Sequence, residues 1–135
     1  MSSADTFCWV DFGYFGLPNR IPFLPLDEKV FDPEKVHYTL LNPIDDRDRD
    51  AYYTISHAPE RFGGFFFFGG RKVLQDYQKL YHKVLEWYQG NNLADDDQHL
   101  AMQCSFWKPE MFSLHHLGGW HLALTHFQRK NLDIQ

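Results

Sequence analysis

Gly63-Gly64-Phe65-Phe66-Phe67-Phe68-Gly69-Gly70 sets four consecutive rings between two glycine pairs. Four adjacent rings carry too much apolar surface for an exposed loop. The segment reads as a short buried strand whose glycine ends let the backbone approach a neighbour closely. Directly after it the period changes. Val73, Leu74, Tyr77, Leu80, Tyr81, Val84, Leu85 and Tyr88 fall on one stripe at helical spacing. Gly90, followed by Asn91-Asn92, stops that helix.

Upstream, Thr6-Phe7-Cys8-Trp9-Val10 is a continuous apolar run ended by Asp11 and Gly13. Such a run predicts a strand buried on both faces, as in an α/β sheet. Residues 16–34 hold four of the seven prolines and read as loop. Val36 to Leu41 alternates loosely and reads as a second strand. The charge run Asp45-Asp46-Arg47-Asp48-Arg49-Asp50 reads as a solvated loop or helix face. Downstream, Asp95-Asp96-Asp97 precedes a shorter helix with Leu100, Ala101 and Cys104 on one face, which Pro109 ends. Met111 to Leu114 predicts a strand, His115-His116-Leu117-Gly118-Gly119-Trp120-His121 a turn, and residues 122–135 one more helix.

The chain has 135 residues, enough for one domain with a sizeable core. Hydrophobic residues make up 44% and charged residues 23%, an ordinary globular balance, while 18% aromatics point to a ring-rich core or a stacking surface. Lys plus Arg is 13 against 18 for Asp plus Glu, a net charge of −5. That lacks the basic footprint for nucleic acid or an anionic membrane surface. Cys8 and Cys104 are too few for a disulfide framework and read as buried thiols. The sequence has neither a signal peptide nor an apolar run of membrane-spanning length, so the expectation is a soluble, cytoplasmic chain.

Three groups of residues carry chemistry. Asp11 closes an apolar strand, and in open α/β sheets ligands sit at the carboxyl ends of strands, where a carboxylate can hold a hard cation. Asp95-Asp96-Asp97-Gln98 opens a helix; a carboxylate there can orient a hydroxyl or accept its proton, and three acids exceed what capping needs. His115 and His116 with His121 offer imidazole ligands, although adjacent residues of a strand face opposite ways, so at most one of the pair serves one ion. Their spacing matches no strong zinc pattern, and no nucleophile or phosphate-loop motif is present.

The order of these pieces resembles the second half of a nucleotide-sugar transferase of the GT-A-like, Rossmann-like kind. More narrowly, the chain resembles the WlaTC/HtrL (HtrL–YibB-type) glycosyltransferase family. The resemblance is carried by Trp9-Val10-Asp11-Phe12-Gly13-Tyr14, by the glycine-flanked Phe65–Phe68 segment and by Leu93-Ala94-Asp95-Asp96-Asp97-Gln98. It implies one α/β glycosyltransferase-like domain over residues 1–135, a mixed sheet with flanking helices, with the nucleotide-binding N-terminal half missing. It further implies transfer of a sugar from a nucleotide-sugar donor to the hydroxyl of a glycan or lipid-linked acceptor. Asp97, supported by Asp96 and Gln98, would be catalytic. Gly63, Gly64, Gly69 and Trp120 would line the donor, and Asp11 with His116 or His115 would hold Mn²⁺ or Mg²⁺. Gly13 stands where the usual acidic pair has its second carboxylate. The competing expectation is a non-catalytic carbohydrate-binding or protein-interaction module derived from such a fold.

Overall fold

The computed structural model describes residues 5–10 and 32–117. Among the described residues, four strands form one mixed sheet: β1 (Thr6–Val10), β2 (Val36–Leu40), β3 (Phe62–Gly70) and β4 (Phe112–His116), in the order β1-β3-β2-β4. β3 runs antiparallel to both β1 and β2, and β2 runs parallel to β4. Three helices accompany them: α1 (Ala51–His57), α2 (Arg71–Gly90) and α3 (Asp97–Trp107). The fold is therefore α/β, with a mixed sheet and flanking helices.

The glycine-flanked ring segment is the middle of β3. Its register against β2 jumps, Tyr38 facing Phe67 but Leu40 facing Phe62, and Gly63-Gly64 lie in the irregular stretch between. Glycine tolerates such a break because it brings no side chain that must find a face. At the other end, Gly70 N–H donates to the Pro33 carbonyl at 3.0 Å, and a side chain there would collide with that oxygen.

The apolar stripe of α2 does what its spacing predicts. Val73, Tyr77, Leu80, Val84 and Tyr88 are buried and join Val36, Tyr38, Leu40, Phe62, Leu100, Met102, Cys104 and Phe112 in one core. Tyr38 sits at its centre, touching the rings of Phe62, Phe67, Tyr77 and Phe112, with its hydroxyl 2.8 Å from that of Tyr77. Strand alternation sends Phe66, Phe68, His37 and Thr39 to the other face of the sheet, where all four are buried too. Asn92, in the left-handed region at φ 56°, turns the chain out of α2.

Four local expectations need correction. β1 forms at the expected residues but, among the described residues, is an edge strand, with Phe7 38% and Trp9 56% exposed and Cys8 on the surface. The strand buried throughout is β2. The charge run is not wholly solvated. It makes a 3₁₀ turn, Asp46–Arg49, in which Asp48 is fully buried, its carboxylate accepting from Arg61 Nε at 2.8 Å. α1 has no counterpart in the hydrophobic pattern. Its start is capped by Asp50, whose side chain accepts from Tyr52 N–H, and Thr54 bonds back to the Ala51 carbonyl. Finally, β4 extends through His115 and His116, which the sequence assigns to a turn.

No helix among the described residues is long and apolar enough to cross a membrane. The expected tail helix lies outside the described residues.

Candidate functional site

The three acids before α3 divide their work. Asp96 is the N-cap, its carboxylate accepting from His99 N–H at 3.0 Å. Asp95 is almost buried. One of its oxygens accepts from His99 Nδ1 and from Asp96 N–H, each at 2.8 Å, and the other accepts from the Thr54 hydroxyl at 3.2 Å. Asp97, the first helical residue, is left exposed at the mouth of a groove. Capping thus consumes one carboxylate, bracing a second, and the third is available.

His99 does not stand out in the sequence, yet its spacing of four from Asp95 is the signal that pairs them on a helix. Its Nε2 lies 2.8 Å from the Pro59 carbonyl. Both ring nitrogens therefore face groups that accept, an arrangement that favours the doubly protonated ring. Burial works against that charge, but the bonds to Asp95 and Pro59 and the field of Asp96 outweigh it, and the pKa stands above the ordinary value. Asp95, Asp96 and His99 come within metal-ligating distance of one another.

The groove holds about 520 Å³. Phe7, Cys8 and Trp9 from β1 form one wall, and Leu74, Tyr77, Gln78, Tyr81 and His82 from α2 the other. Phe67 and Tyr38 lie at its base, and Gly64 and Asp97 close one end. The indole of Trp9 stacks on Phe67, centroids 6.3 Å apart. The Tyr77 and Tyr81 hydroxyls are pushed above their usual pKa, chiefly by burial. The aromatic wall is hidden in the sequence because the same α2 stripe also makes the core; Tyr77 and Tyr81 serve both.

Of the expected site residues, Gly64, Asp97 and Gln98 come together. A Cβ on Gly64 would stand 2.5 Å from Gln98 Cγ, so the amide side chain lies over the bare backbone of β3. Gly63 is buried beside them. Gly69 lies at the far end of β3, where its missing side chain makes room for Val73 and Leu74 of α2 and for the Lys35 carbonyl. Asp11 and Trp120 lie outside the described residues. His115 is half-buried, its Nε2 2.9 Å from His37 Nδ1 and 3.3 Å from Ser113 Oγ. His37 Nε2 is bound to the Asp32 carbonyl at 2.7 Å. His116 is exposed, and alternation on β4 turns it to the opposite side from His115. The two imidazoles do not converge on one ion.

Similarity to known proteins agrees with the resemblance at the level of family. The family model described as bacterial protein of unknown function (HtrL_YibB) matches residues 1–129. Protein HtrL of Escherichia coli (strain K12) is 26% identical over 113 residues, which is 82% of this chain and 39% of HtrL. The chain thus spans about two fifths of the length of that relative. No solved structure matches it. With nearly its whole length covered by the family model, the chain belongs to the HtrL_YibB family.

Proposed function

We propose that this chain carries the sugar-handling part of a glycosyltransferase, one that moves a sugar from a nucleotide-sugar donor to an acceptor hydroxyl. The observation that carries the reading is Asp97, a carboxylate free of capping duty at the end of a ring-lined groove. Aromatic faces pack against the C–H faces of a pyranose. A carboxylate beside them orients a hydroxyl and takes its proton as it attacks. Gln98 offers an amide to the same substrate, and Gly64 lets that amide lie against the strand. A divalent cation such as Mn²⁺ or Mg²⁺ would offset the charge of the departing diphosphate. The resemblance assigns Asp11 with His116 or His115 to that cation, and alternation along β4 leaves room for one of the two histidines in such a site.

The test is a thermal melt of the full chain, alone and with Mn²⁺ plus uridine diphosphate. Ligand at about 100 times its dissociation constant adds roughly 2.7 kcal/mol, a rise of a few degrees for a domain of this size. A rise that needs both components and is lost in Asp11→Asn supports the donor site. A melt unmoved by them but raised by simple hexosides, and no longer raised in Trp9→Ala, instead supports a non-catalytic sugar-binding module. That second reading is favoured by the exposure of Trp9 at the groove rim.

A further inference from the structure

The opposite flank of α2 carries a second groove, chemically unlike the first. Asp76, Lys79, Leu80 and Lys83 of α2 face Trp107, Lys108 and Met111 around about 420 Å³. Lys79 and Lys83 are one helical turn apart and stand on the same side, and Lys108 reaches in from the end of α3. The three lysines are exposed, as is Trp107 at 46%. Among the described residues, none of the three ammonium groups is in an ion pair. The carboxylate within the groove, Asp76, is already bound by Lys72 Nζ at 2.8 Å. A chain of net charge −5 thus gathers three lysines outside any described ion pair and an open indole in one concave place, against the single carboxylate of Asp76.

We propose that this groove binds a phosphate-bearing ligand, gripped by Lys79, Lys83 and Lys108, with the organic part of the ligand against Trp107. Ammonium groups act on phosphate as point charges, and three of them around one cleft match the several oxygens of a phosphate or diphosphate. Trp107, beside Met111, supplies a flat apolar wall that a bare anion does not need. The proposal is independent of the carboxylate groove, since it uses residues of the other side of α2.

Isothermal titration of the full chain with inorganic pyrophosphate, at constant ionic strength, tests it. Saturable binding is expected, weakened at least tenfold in the Lys79→Gln/Lys83→Gln/Lys108→Gln variant. The substituted side chains are exposed, so that variant should melt with the parent; Lys83→Gln alone, expected to weaken binding severalfold, serves if it does not. Phenyl phosphate against inorganic phosphate then separates an ester from a free anion. A tighter ester that loses its advantage in Trp107→Ala identifies the ligand as an ester, while equal affinities for the two identify a free anion and remove Trp107 from the site. The proposal is overturned if no saturable heat appears, or if the lysine variants bind pyrophosphate as the parent does.

Discussion

β1 and β2 invert what their compositions suggest. Thr6-Phe7-Cys8-Trp9-Val10 is almost wholly apolar and lies at the sheet edge, half open to solvent. Val36-His37-Tyr38-Thr39-Leu40 alternates apolar and polar residues, and all five are buried. The difference comes from sheet order. β2 has a strand on each side and a covered face above and below, so even its polar residues are enclosed, and His37 finds its bonds in Asp32 and His115. Among the described residues, β1 is paired on one side, with β3. Burial of a strand is a property of its neighbours more than of its own composition.

Replacing Tyr38 by Ala tests the β2 side most severely. The ring meets four others and leaves a cavity when removed, so a loss of about 3–5 kcal/mol is expected in denaturant unfolding. A loss near zero would mean that β2 is not the centre of the core. Gly64→Ala probes the meeting of β3 and α3. The new methyl collides with Gln98, and a cost of about 1–3 kcal/mol is expected. Gln98→Ala in the same chain should recover most of it; no recovery would place the strain elsewhere.

The brace behind Asp97 has a pH signature. The folded pKa of His99 lies above its unfolded value near 6.5. Its contribution is therefore fully present below about pH 6.5 and is lost as pH rises through the folded value. Asp95→Asn should cost about 1 kcal/mol at pH 6 and flatten that dependence, seen as melting temperature against pH. An unchanged profile would separate His99 from Asp95. Trp9→Ala, on the β1 side, should cost about 0.5 kcal/mol or less, as surface changes do. If it destabilised as much as Tyr38→Ala, the contrast between the strands would vanish.

Periodicity makes α2 and β3 legible in the sequence, because both signals are local: a stripe at 3.6 residues, and rings fenced by glycine. The acids before α3 are equally visible as a helix start. What stays hidden depends on partners far along the chain. Asp48 looks like one more surface charge until Arg61 is folded against it. α1 is held by Asp50 and by Thr54 against Asp95, not by an apolar stripe. At the site, the three acids are legible as a cluster, but their different duties follow from which carboxylate meets His99 and which meets the groove.

The parallel pairing of β2 with β4 also sets a sequence of events. His37 and His115, which it brings together, lie 78 positions apart, whereas β3 runs directly into α2 and α2 packs on α3 nearby in the chain. Closing so long a loop costs entropy before any contact rewards it, and parallel strands form late for that reason. The β3–α2–α3 unit can assemble first from local contacts, and β4 then docks along β2 after the main barrier has been crossed. A substitution in β4 such as Phe112→Ala should therefore speed unfolding far more than it slows refolding.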